Sequence, residues 1–183
     1  MSEAKAALER LLGRYLDVCE RELESLPTQQ YDPAWPSPCQ VGEPDARGTI
    51  HWQPVERSVA GDFSGLEHAL EVEIHTDVKA YYGSFWCGCI EASAEEGGLT
   101  LIQIWNANDF DRLGENILGH ALAKQRIKAP LTLFFATTDE RELMLSVDNT
   151  TGRVVLEDPG SPSIREIARS LGEFLDRVDP VAK

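Results

Sequence analysis

The most constraining stretch of this chain runs from Thr132 to Asp158. There "TLFFAT", "ELMLSVD" and "RVVLED" follow one another with only "TDER" and "NTTG" between them. Each segment is strand-like, and each connection is a short cluster of turn-forming residues. The three therefore predict neighbouring antiparallel strands. A further hairpin is expected upstream, where "CIEAS" and "LTLIQIW" flank the turn "EEGG".

Helical periodicity brackets these strands. From Ser2 to about Leu23, Ala4, Leu8, Leu11, Leu12, Tyr15, Val18 and Cys19 recur every three or four residues, predicting an amphipathic helix. Pro27, Pro33, Pro36, Pro38 and Pro44 then impose a surface loop, since proline fixes the backbone and removes a donor. "TIHWQP" (Thr49 to Pro54) reads as a short strand. Two short helices follow, one carrying Leu66, Ala69 and Leu70. The other starts from a Thr76 or Asp77 cap and carries Val78, Tyr81, Tyr82 and Phe85, with Gly83 and Gly88 as its stop.

Asn108 is the expected cap of a longer helix from Asp109 to about Lys128. Its apolar stripe is Phe110, Leu113, Ile117, Leu118 and Ala121, and "KQRIK" complements the dipole at its end. Ser163 with Glu166 reads as a capping box for a last helix, with Ile164, Ile167, Leu171, Phe174, Leu175 and Val178 buried. The sum is α+β: one domain over residues 1–183, a largely antiparallel sheet of about five or six strands with helices packed on it.

Charge narrows the function. Asp and Glu number 31 against 17 Lys and Arg, a formal net charge of −14. Such a field opposes nucleic acid and anionic lipid and favours a basic protein partner, or else serves solubility alone. No stretch approaches the roughly 20 apolar residues of a membrane span, and "MSEAKAALERLL" lacks the apolar core of a signal peptide. A soluble, cytosolic protein is expected, without direct lipid insertion.

Motifs for catalysis fail on context. "GENILGHA" has the glycine spacing of a phosphate loop but lacks its Lys and Ser/Thr, and it falls inside a helix whose backbone donors are already used. Ser64 in "GDFSG" follows no strand. His51, His68, His75 and His120 are scattered singly, and His120, on the flank of an apolar stripe, reads as a hydrogen-bonded structural histidine. Cys87 and Cys89 supply two thiols where a metal site takes three or four ligands. No second Cys or His pair at close spacing completes them, which favours packing over metal or redox chemistry. No cofactor is expected.

Several blocks resemble one family. "PSPC" (Pro36 to Cys39), "WQP" (Trp52 to Pro54) and above all Leu99 to Thr138 are similar to the SecY-interacting Syd family. In that last block Trp105, Asp109, Phe110, Glu115, Asn116, Gly119 and His120 fall where the family pattern has them. "LEHALEVEIHTDVKAYYGSFWCG" resembles the same family and, more loosely, the wider SUKH superfamily. The resemblance implies an α+β protein without known catalysis, held peripherally on the cytoplasmic face of the inner membrane. There it would bind SecY, the translocon channel subunit, and regulate or check its state. Cytoplasmic loops of membrane proteins carry excess Lys and Arg, so an acidic protein would be steered to them.

Between Pro54 and Gly98, nine acidic side chains face two basic ones, a net −7 that is half the total charge. Glu67, Glu71 and Asp77 are the candidate docking acids there, with Glu67 and Glu71 at helical i, i+4 spacing. Asp109, Glu115 and Asn116 join them as candidate partner-binding residues, the last two because they point away from the apolar stripe. Two other readings remain: a SUKH-type immunity protein masking a toxin's basic active site, and an enzyme using Cys87, Cys89 and His120.

Overall fold

The computed structural model describes residues 2–139 and 143–182. Helix α1 (Glu3–Leu23) begins where the Ser2 hydroxyl accepts the Lys5 N–H at 3.1 Å and ends at Glu24 in the left-handed region, φ 53°. The proline-rich stretch is more than a loop. It contributes β1 (Thr28–Gln30) and β2 (Gln40–Val41), which pair on either side of β3 (Thr49–Trp52) in a small sheet. Each is only two or three residues long, so proline punctuation hides them from the sequence.

Strand β4 (Val55–Glu56) leads through a loop to α2 (Ser64–Leu70) and α3 (Thr76–Gly83). The cap of α3 is His75, whose Nδ1 accepts the Asp77 N–H at 3.2 Å, rather than Thr76 or Asp77. Gly83 ends the helix as expected. Phe85 therefore lies outside the helix and opens β5 (Phe85–Trp86), which pairs with β4.

The main sheet follows: β6 (Ile90–Ala94), β7 (Gly97–Leu101), then, after helix α4 (Ala107–Arg126), β8 (Thr132–Thr138), β9 (Met144–Asp148), β10 (Val154–Glu157) and β11 (Ser163–Ala168). Helix α5 (Leu171–Arg177) returns the chain to β12 (Asp179–Pro180), beside β6. The order is β11-β10-β9-β8-β7-β6-β12, with every pairing antiparallel. The three strands between Thr132 and Asp158 are adjacent as predicted. Of the turn "TDER", Glu140 and Arg141 lie outside the described residues, as does Glu142.

Seven strands exceed the expected five or six because β11 and β12 join the sheet where no strand was expected. Ser163 does not cap a helix: Ser163 to Ala168 is an edge strand on β10, and Ile164 is 55% exposed. All four residues of β10 are buried, so its backbone groups need a neighbour on both sides, and that tertiary demand overrides the helical pattern. The cap moves to Ser170, whose hydroxyl accepts the Glu173 N–H at 3.1 Å. Likewise "IQIW" leaves the hairpin at Leu101, and α4 is capped by Asn106, not Asn108.

The helices pack on both faces of the sheet. Phe135 meets Tyr81 of α3 and Phe174 of α5 at ring centroids 5.8 and 5.5 Å apart, whereas its neighbour Phe134 meets His120 of α4 at 5.9 Å. Thus α1, α3 and α5 cover one face and α4, flanked by α2, the other.

Candidate functional site

The resemblance blocks, far apart in sequence, converge at the start of α4. Asn106 Oδ1 accepts the Asp109 N–H at 2.9 Å, and Asp109 Oδ2 reaches back to accept the Trp105 N–H at 2.9 Å. Asn106 Nδ2 donates to the Pro36 carbonyl at 2.9 Å, Trp105 Nε1 donates to the Trp35 carbonyl at 3.1 Å, and the Ser37 hydroxyl donates to the Trp105 carbonyl. "PSPC" is thereby clipped to the helix it helps to orient. Trp52 completes the junction, edge-on to Trp105 at 6.2 Å.

That junction explains "WCGC". A Cβ on Gly88 would lie 2.7 Å from the Trp52 ring, so only glycine lets the chain pass. On either side of it Cys87 is buried, its Sγ donating to the Gly88 carbonyl at 3.1 Å, and Cys89 reaches the surface. Burial pushes the Cys87 thiol up and that of Cys39 to about 11, so neither is poised as a thiolate at neutral pH. Among the described residues no three His, Cys, Asp or Glu side chains gather as a metal set would.

His120 takes part in a different cluster, one that pattern reading missed. Its Nε2 lies 3.0 Å from Thr132 Oγ1 and 3.5 Å from Glu157 Oε1. The Thr132 hydroxyl donates to Glu157 at 2.7 Å, and Lys124 donates to Glu157 and, at 2.8 Å, to the Ser161 carbonyl. Lys124 and Glu157 are 1% and 0% exposed. Lys124 was expected among the dipole-complementing bases of "KQRIK"; instead it turns inward to neutralise a carboxylate. Burial pushes the Glu157 carboxyl up, but the hydrogen bonds from His120, Lys124 and Thr132 outweigh it and hold the group at about 2. Every member is satisfied from within, which makes the cluster a structural network.

The six candidate partner residues fall in three places. Glu67, Glu71 and Asp77 lie around α2 and the start of α3, while Asp109 and Asn116 share one flank of α4 and Glu115 its outward crest. Two are committed internally. Glu67 accepts from Lys79 Nζ at 2.6 Å and from the Ile74 N–H at 2.9 Å, and Asp109 closes the cap described above. The expected like-charge i, i+4 pair does not form: α2 ends at Leu70, and Glu71 sits beyond it in the left-handed region at φ 53°. Glu71, Glu115 and Asn116 are exposed.

The acidic segment is also not one face. Glu56 bonds Lys5 at 2.6 Å, and Glu96 lies 3.4 Å from Arg177. What remains around α2 borders two adjoining hollows between α2 and α4, of about 390 and 210 Å³. Glu71, Asp62 and Asp111 line them together with apolar Leu66, Leu70 and Leu122. Asp62 and Asp111, both exposed, were not among the residues singled out from the sequence. Only the packing of α2 on α4 brings them together. An apolar floor with an acidic rim suits a segment that carries both apolar and basic side chains.

The family description "Syd protein (SUKH-2)" matches residues 5–180. A Protein Syd from Pseudoalteromonas atlantica is 39% identical over 181 residues, covering 98% of this chain and 97% of the relative. One from Colwellia psychrerythraea is 40% identical over 162 residues, covering 84% and 80%. A third, from Pectobacterium carotovorum, is 35% identical over 180 residues and 98% of each chain. None of these names denotes a catalytic activity.

Proposed function

Because this chain belongs to the Syd family, we propose that it is a non-catalytic protein that binds the basic cytoplasmic loops of SecY. It regulates or checks the translocon from the cytoplasmic side of the inner membrane, as a peripheral protein that also exists free in the cytoplasm. No described helix is long and apolar enough to cross a membrane, which suits a partner held through another protein.

The observation that carries this reading is the acid-rimmed cleft between α2 and α4. Basic loops would be drawn to Glu71 and Asp77 and along α4 to Glu115 and Asn116, with apolar loop residues seated between the helices. Glu67 and Asp109 support that face from below, one through Lys79 and the other through the helix cap. The lipid surface around SecY repels a protein of charge −14, so capture depends on the loops.

Co-purification with detergent-solubilised SecY at low ionic strength tests the reading. A stoichiometric complex that salt dissolves is expected. Failure of the folded protein to elute with SecY under any salt condition would overturn it.

A further inference from the structure

Arg57 stands apart from the other arginines of this chain. Its guanidinium packs against the Trp86 ring, with Cζ 3.9 Å from the centroid, and lies 4.9 Å from that of Phe110. Both Nε and Nη1 are buried without a hydrogen-bond acceptor among the described residues, and Arg57 forms no ion pair there. Several other arginines are ion-paired: Arg10 with Asp176, Arg153 with Glu166, Arg177 with Glu96. Arg14, Arg47, Arg112, Arg126 and Arg169 also form no ion pair among the described residues, but there only Arg57 has buried guanidinium nitrogens without an acceptor.

The surroundings are fixed in place. Arg57 N–H bonds the Ser84 carbonyl at 2.9 Å and Gly61 N–H bonds the Gly83 carbonyl at 3.1 Å, so the loop after β4 is tied at both ends to the close of α3. Gly61 admits no larger residue, since a Cβ there would meet Phe110 at 2.9 Å. The result is an open groove of about 630 Å³ with Arg57, Trp86 and Phe110 in its wall and Asp62 and Asp111 beside them. Asp62 is turned to its own loop, accepting the Ser64 N–H at 2.9 Å, rather than to Arg57. Burial lowers the Arg57 pKa, so an anion arriving there gains from a cation that water solvates poorly.

A cationic centre between carboxylates has one complementary shape of charge: an acid flanked by bases. We propose that the Arg57 groove receives a carboxylate side chain of the docked partner, presented by a segment whose neighbouring lysines or arginines meet Asp62 and Asp111. This deepens the docking reading above and rests on it. The aromatic walls hold the guanidinium plane fixed, as two-pronged recognition of a carboxylate requires.

Two end-blocked pentapeptides test it, lysine-lysine-glutamate-lysine-lysine and its glutamine counterpart, titrated into the full chain at physiological ionic strength. The wild type should bind the glutamate peptide roughly tenfold more tightly, although that peptide carries less positive charge. Arg57→Lys keeps the charge but loses the planar fork, and it should abolish the preference. Equal or tighter binding of the glutamine peptide by the wild type overturns the carboxylate site while leaving basic-segment docking intact. A preference retained in Arg57→Lys overturns the role of Arg57. If neither peptide binds, both the groove and the acid-rimmed docking face fall.

Discussion

At the scale of single residues, the chemistry that draws the eye is packing. Cys87 is enclosed and Cys89 is held beyond a glycine that exists to clear Trp52. Replacing both cysteines with alanine should leave zinc content and SecY binding unchanged and lower stability by about 1 kcal/mol. Elemental analysis beside a urea melt checks this, and stoichiometric zinc in the wild type would contradict it. Glu157 carries more weight. Its folded pKa of about 2 lies below the ordinary 4.5, so its contribution is fully present above pH 4.5 and is lost as pH falls toward 2. Acid unfolding should therefore steepen across that window, and Glu157→Gln should flatten it. Removing the cation instead, by Lys124→Met, strands a buried carboxylate and should cost about 3–5 kcal/mol by chemical denaturation. A pH-independent stability between 5 and 2 would contradict the account. Nothing in the pattern of "KQRIK" distinguished Lys124 from its exposed neighbours, because its partner lies on a strand 33 residues away.

Among the elements, those with a strong local period and local punctuation were legible: α1, α4, and the strands β8, β9 and β10 with the β6–β7 hairpin. What failed was set by distant partners. Ser163 to Ala168 has a plausible capping box, yet β10 requires an edge neighbour and takes it. β1 and β2 exist only because β3 lies between them. The candidate residues were legible in part: the exposure of Glu115 and Asn116 follows from helical phase, whereas Glu71 lies past the end of its helix, and Asp62, Asp111 and Arg57 come together only when α2 and the loop after β4 dock on α4. The α4 cap offers a test at this scale. Asp109→Ala removes the acceptor for the Trp105 N–H and should destabilise the fold by about 1 kcal/mol. The loss should appear as faster amide exchange at Trp105 and in the "PSPC" loop. A variant of unchanged stability and exchange would show the cap to be dispensable.

Over the whole molecule, the sheet separates two acidic surfaces that net charge alone does not distinguish. Glu71, Asp111 and Glu115 are on the α2–α4 side, and Glu9, Asp17 and Glu20 are exposed on α1, which packs against the opposite sheet face. Exposed charges act over about 8 Å at physiological salt, so steering to a basic loop should be local and should weaken as salt rises. Steering acts on encounter, and the association rate is where it should register. The decisive measurement is thus the association rate with solubilised SecY across a salt series for two triple variants of equal net charge. Glu71→Lys, Asp111→Lys and Glu115→Lys together should slow association sharply and flatten its salt dependence, while Glu9→Lys, Asp17→Lys and Glu20→Lys should cause a much smaller loss. Equal losses in the two variants would contradict docking through the α2–α4 face and leave overall charge as the only determinant.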